Sequence, residues 1–270
     1  MNQAFLEYKS SRISYLRLGQ GPGTVVCFHG YGETAASFSF LEKHAGADFT
    51  FLAIDLPFHG NTVWKEGLDC TPAGLLEILR AVLVQEGRGP DYILAGFSLG
   101  GRMALALYEA DPLHCSRLVL LAPDGLKMNF WYWLATQTRW GNRFFKYTME
   151  HPRWYFLLLK GLNRIGLVNA SIFKFVSHYI EDEKVRHALY TRWTTLRKIR
   201  PGLSRIRAEI RSRQTPVRLL YGMHDRIILS SVGDRFRRGI EANCEMKMIH
   251  SGHQLLHEKH VKEILPALLR

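Results

Sequence analysis

The chain has 270 residues, 47% hydrophobic and 22% charged, which supplies a core for one large α/β domain, or a domain with an insertion, and excludes a disordered or low-complexity chain. The formal charge of +12 is concentrated in residues 126–214, where 18 Lys and Arg stand against 5 Asp and Glu; that segment is expected to meet something acidic or to present a solvated face. No apolar run reaches about 18 residues, which excludes a membrane-spanning helix.

The N-terminal stretch is polar throughout and lacks an apolar h-region, so no secretory signal is expected and the chain is read as cytoplasmic. Two strands joined by a polar turn are predicted at 4–8 and 12–18. Apolar runs of strand length follow in "TVVCFHG" (24–30) and "FTFLAIDLPFHG" (49–60), with a helix-length segment at 34–45 between them. A helix at 72–86 begins with Thr71 as the expected N-cap and Pro72 at the first helical position. The strand "YILAGF", a helix at 99–110 and the strand "RLVLLAP" come next. Late strands are predicted at 216–222 and 244–252, with helices at 230–241 and 254–269. Cys27, Cys70, Cys115 and Cys244 form no C-x-x-C pair and read as buried, reduced thiols. Near-continuous apolar strands alternating with helices predict a mostly parallel sheet covered on both faces, with ligands gathering beyond the strand carboxyl ends.

The alternation breaks from about 126 to 214. There "NFWYWLATQTRWGNRFFKY", "HPRWYFLLLKGLNRIGLV" and "SIFKFVSHYIEDEKVRHALYTRW" are helical in pattern, basic and aromatic. An all-helical insertion divides the chain into a core domain, 1–125 and 215–270, and a cap, 126–214, expected over the carboxyl edge of the sheet. Trp131, Trp133, Trp140 and Trp154 are expected mostly to pack the cap helices onto the sheet, the alternative being an apolar acyl pocket. The basic excess has three readings: a solvated face, attraction of an anionic substrate, or docking on anionic lipid through cations interleaved with Trp and Phe. No nucleic-acid-binding module is visible, so no nucleic-acid partner is expected. No metal-ligand cluster or phosphate loop is visible either, so no metal and no cofactor are expected.

The stretch "AGFSLGGR" places Ser98 between Gly96 and Gly100 where a strand must turn into a helix. A serine hydroxyl is a poor nucleophile until a base takes its proton. A sharp strand-to-helix turn presents that hydroxyl and needs small residues on either side. The helix that follows brings its N-terminal amides to any negative charge forming nearby. The pattern is G-x-S-x-G in its required context. "LLYGMHDRII" puts Asp225 past one late strand, and "MIHSGHQLLHE" puts His253 past the next. The order Ser98, Asp225, His253 is that of a nucleophile, an orienting carboxylate and a base. Asp124 also follows a strand and competes with Asp225, which is preferred because its loop adjoins the histidine strand. His224, His250, His257 and His260 are nearby competitors for the base, and His29 and Asp55 read as structural. One oxyanion amide is expected from Leu99 and the other from Tyr31, after His29-Gly30.

"HGYG", "DLPFHG", "GFSLGG", "GMHDRI" and "SGHQLLHE" resemble, in order, the signature segments of the α/β-hydrolase superfamily, from about residue 24 to the C-terminus. The resemblance implies an α/β-hydrolase fold, with a mostly parallel eight-stranded sheet, antiparallel first strands and a cap where the insertion lies. It implies the catalytic triad Ser98, Asp225 and His253, with oxyanion amides from Tyr31 and Leu99; Gly30 and Arg102 are candidate substrate contacts. Phe58 departs from the family pattern, which usually has glycine there. The expected activity is hydrolysis of a small-molecule ester or acyl substrate. "GFSLGGR" also resembles the elbow of the menaquinone-pathway lyase of this fold. That keeps open a lyase or carbon–carbon hydrolase acting on an anionic substrate held by Arg102.

Overall fold

The computed structural model describes residues 2–164 and 181–269, so the part of the expected helical insertion at 165–180 lies outside the described residues. Strands β1 (Asn2–Tyr8), β2 (Ser11–Leu18), β3 (Gly23–Phe28), β4 (Phe49–Ile54), β5 (Tyr92–Phe97), β6 (Cys115–Leu121), β7 (Val217–Gly222) and β8 (Cys244–Ile249) form one eight-stranded sheet in the order β1-β2-β4-β3-β5-β6-β7-β8. β1 with β2 and β2 with β4 pair antiparallel; every other neighbouring pair is parallel. Val25–Phe28, Phe51–Ile54, Leu118–Leu121 and Leu219–Tyr221 are buried without alternation, as strands covered on both faces must be.

Helix α1 (Phe40–Ala45) precedes β4, and α2 (Pro72–Gln85) and α3 (Leu99–Ala110) flank β5. α2 buries Leu75, Ile78, Leu79 and Val82, one stripe at helical spacing, and Thr71 Oγ1 caps its start by accepting from Gly74 N at 3.1 Å. α3 is buried from Leu99 to Tyr108. Its start lies so close to β3 that a Cβ on Gly100 would stand 1.8 Å from the Phe28 carbonyl oxygen.

The chain divides into two compact units. The first is Met1–Glu66, Cys70–Lys127 and Lys198–Arg270 and holds the sheet; the second is Gly67–Asp69 and Met128–Arg197. The second unit thus ends before the boundary expected at 214. After α4 (Phe130–Gln137), α5 (Arg139–Glu150), α6 (Arg153–Arg164) and α7 (Glu183–Thr195), helix α8 (Leu203–Arg213) belongs to the first unit. Its Ile206 and Ile210 are fully buried, and Gly202 N at its start donates to Glu109 on α3 at 2.7 Å. The arginine-rich composition of α8 conceals this two-residue apolar stripe. The first unit closes with α9 (Ser230–Arg237) and α10 (Val261–Leu269).

Within the second unit the helices start on polar caps. Asn129 Oδ1 accepts from Trp131 N, Thr138 Oγ1 from Gly141 N and Asp182 Oδ1 from Val185 N, at 2.9, 3.1 and 3.0 Å. Its interior is aromatic: the Trp193 ring meets Tyr132 and Phe145, with centroids 5.1 and 5.7 Å apart. Trp131, Trp133 and Trp140, three of the four tryptophans expected mostly to pack the cap helices onto the sheet, are exposed. Among the described residues no helix is long and apolar enough to cross a membrane, and no group of three or more His, Cys, Asp or Glu could hold a metal ion.

Candidate active site

Three strands deliver three side chains to one place. β5 ends at Phe97, and Ser98 turns the chain into α3 with φ 50° and ψ −115°. A non-glycine residue rarely occupies that region, and here backbone hydrogen bonds hold it there. Ser98 N donates to Leu121 O at 2.9 Å, while the Ser98 carbonyl accepts from Gly101 N at 2.9 Å and Asp124 N at 2.8 Å. The small residues around the turn are required by contact: a Cβ on Gly96 would lie 2.4 Å from the Gly100 carbonyl oxygen.

Past β8, His253 Nε2 stands 3.0 Å from Ser98 Oγ across 155 residues of chain. Its Nδ1 lies 2.7 Å from Asp225 Oδ2, past β7. With the buried Asp225 carboxylate as acceptor, Nδ1–H is the donor and Nε2 is left as the acceptor facing the serine O–H. Asp225 Oδ1 accepts from the amides of Ile227 and Ile228 at 2.8 and 3.0 Å, which fixes the carboxylate plane. The Phe97 ring packs against the imidazole with centroids 5.3 Å apart. The structure therefore brings Ser98, His253 and Asp225 together within the first unit.

The competing residues go elsewhere. Asp124 forms an ion pair with Arg102, and its Oδ1 accepts from Gly125 N at 2.6 Å. Arg102 is buried in α3 and directed to this carboxylate. His224 and His250 meet each other, Nε2 to Nε2 at 3.3 Å. His257 Nδ1 accepts from Lys259 N at 3.1 Å, and the buried His260 contacts Ser251 Oγ at 3.1 Å. Burial holds the His260 imidazole below its ordinary pKa, with Lys259 acting in the same direction.

The loop after β3 carries the expected second oxyanion amide. His29 is fully buried: its Nδ1–H donates to Gly30 O at 2.8 Å, and its Nε2 accepts from Leu56 N at 3.2 Å. It is therefore a neutral prop for this loop. Asp55 braces the same region, accepting from Ala35 N at 2.7 Å and Asn61 N at 3.1 Å. Gly30, expected to touch substrate, has both backbone polar groups engaged: its carbonyl by His29, and its amide by Glu33 Oε2 at 3.1 Å. A Cβ there would meet the Phe97 ring at 2.9 Å, so its smallness serves packing. Tyr31 follows Gly30, with its ring edge-on to His59. Leu99 N opens α3, where no intrahelical acceptor exists for it. Sequence reasoning missed Glu33, whose other oxygen accepts from Gln254 Nε2 at 2.7 Å and so ties this loop to the residue after His253. The only signal was an acid three residues beyond a glycine turn.

The profile of the α/β hydrolase family matches residues 25–267. A pimeloyl-[acyl-carrier protein] methyl ester esterase of Aeromonas salmonicida is 32% identical over 131 residues, which are 48% of this chain and 49% of that protein. An esterase of Mycobacterium tuberculosis is 33% identical over 113 residues, 42% of this chain and 37% of that protein. The chain thus spans about half or less of the length of these curated relatives. Among solved structures, a carboxylesterase structure from Nitrososphaera gargenis superposes with a TM-score of 0.66 at 17% identity, over 98% of this chain and 96% of that one.

Proposed function

The chain belongs to the α/β hydrolase family, and from that premise we propose that it hydrolyses carboxylic esters through Ser98, His253 and Asp225. The observation that carries the reading is the continuous relay from Ser98 Oγ to His253 Nε2 at 3.0 Å and from Nδ1 to Asp225 at 2.7 Å. In this reading His253 takes the serine proton as Oγ attacks the ester carbonyl. The amides of Leu99 and Tyr31 hold the oxyanion. His253 then returns the proton to the leaving alcohol, and water activated by the same imidazole hydrolyses the acyl-enzyme. Asp225 holds the imidazole in the required tautomer and stabilises its charged form. The curated relatives, an esterase and a methyl ester esterase, support an ester substrate.

The lyase or carbon–carbon hydrolase alternative needs Arg102 as an anchor for a substrate carboxylate. The Arg102 guanidinium is directed to Asp124 and the side chain is 11% exposed, which favours the ester reading. The test is a series of nitrophenyl esters of increasing acyl length, with the native chain and Ser98→Ala. Ser98→Ala is expected to lose at least about 10³-fold in kcat. Turnover undiminished by the substitution would remove the serine from the reaction.

A further inference from the structure

We propose that the outward face of α5, continued by exposed residues of α4 and α6, docks on an anionic lipid bilayer. On α5 the exposed side chains form two neighbouring rows at i, i+4, i+7 spacing. One is cationic, Arg139, Arg143 and Lys146; the other is aromatic, Trp140, Phe144 and Tyr147. The opposite side of the helix, with Gly141, Thr148 and Met149, is buried, and Phe145 packs on Tyr190 and Trp193 of α7. The two rows are thus the exposed side of α5, with Phe144 also meeting Trp154 of α6, centroids 5.2 Å apart, and Tyr147 meeting His151 at 4.9 Å. Trp140 is 67% exposed, and Trp131 on α4 and Leu157 on α6 are 70% and 71% exposed.

The charge of the surface matches such a partner. From Phe130 to Leu158 the chain has four Lys and Arg and one acid, Glu150, which lies 3.7 Å from Lys146. A solvated basic face alone needs no exposed aromatic row beside the cations, and a contiguous apolar patch in water marks a contact surface. A soluble anion would use the cations and leave the rings without a role. A bilayer uses both: phosphate and carboxylate headgroups meet the arginines, while Trp, Tyr and Phe bodies settle at the boundary with the acyl chains.

The test uses the full chain and phosphatidylcholine vesicles with and without phosphatidylserine, read by flotation and by tryptophan emission. Binding is expected to the anionic vesicles at low salt, to weaken as salt is raised, and to be at least about tenfold weaker to phosphatidylcholine alone. Arg139→Glu with Arg143→Glu, and separately Phe144→Ser with Tyr147→Ser, are each expected to weaken binding by about tenfold or more. Both are expected to leave turnover of a water-soluble short-chain ester unchanged. If either pair fails to fold, Arg143→Gln alone is expected to cost about fivefold. No binding to the anionic vesicles, equal binding to both compositions, or binding undiminished in the variants would overturn the proposal. Capture of polyglutamate with the same affinity as the vesicles, unaffected by the aromatic substitutions, would do so too and would assign the face to an acidic protein.

Discussion

Replacing Gly100 with alanine puts the geometry of the serine turn under direct test. The added Cβ would stand 1.8 Å from the Phe28 carbonyl oxygen and 2.3 Å from its carbon, where ordinary contact begins at 3.4 Å. The start of α3 and the end of β3 must therefore part by about 1.6 Å, and neither neighbour is a flexible side chain. Ser98 and Leu99 ride on α3, while Tyr31 is carried on the loop beyond β3, so the separation moves the proposed nucleophile and the proposed oxyanion amide of Tyr31 apart. A misplacement of about 1 Å costs on the order of 10²-fold in rate. Overpacking of this kind costs about 1–3 kcal/mol, or a fall of a few to about ten degrees in melting temperature for a chain of this size. The assay is kcat/KM on a soluble nitrophenyl ester, paired with thermal unfolding. Gly252→Ala is the control, because nothing lies within 4 Å of its Cβ and its backbone is not left-handed, although it directly precedes His253. It is expected to stay within about twofold of the native chain. Gly100→Ala with native kcat/KM and native melting, or Gly252→Ala equally damaging, would refute the reasoning.

Asp225→Asn is expected to lower kcat by about 10³–10⁴-fold with little change in KM, because the amide cannot hold His253 in the tautomer that accepts the serine proton; stopped-flow turnover of the same ester checks this. Asp111 is buried, and burial works to raise its carboxyl, but hydrogen bonds from His114 at 2.7 Å and Arg80 at 3.0 Å prevail and hold it below the usual range. Its contribution is therefore complete above the unfolded carboxyl pKa and is lost as pH falls through the lower folded value. Asp111→Asn is expected to cost roughly 1–3 kcal/mol near neutrality, with the melting-temperature gap to the native chain closing in acid. Burial pushes the Cys115 and Cys244 thiols up to about 12 and Cys27 upward as well. Iodoacetamide at mildly alkaline pH is expected to leave these three unmodified by peptide mass analysis until denaturant is added.

The sheet was legible because its central strands are unbroken apolar runs, and α2 because Thr71 and Pro72 mark its start. The helix expected over 254–269 begins only at Val261. Residues after His253 run irregularly, and His257 caps a short turn ahead of the helix; a histidine cap carries little sequence signal. That Ser98, Asp225 and His253 come together was readable from three strand ends and their order. What the chain order could not reveal is how neighbours at those ends partition. Asp124 and Asp225 each follow a strand; the strand order favoured Asp225 for His253, but the partner that Asp124 takes instead, Arg102, lies 22 residues away and left no signal. Glu33 was missed for the same reason: its partner Gln254 is 221 residues away. The arginines of α8 outweighed two isoleucines in a reading by composition, whereas packing obeys the isoleucines.

The backbone at Ser98 has a consequence for how this chain can adapt. A residue with a side chain held at positive φ raises the energy of the folded state by about 1–3 kcal/mol, and glycine would relieve it while deleting the hydroxyl. Heat tolerance and the proposed chemistry therefore pull this one position in opposite directions. A lineage selected for hot environments would have to reinforce the surrounding scaffold instead of relaxing the turn.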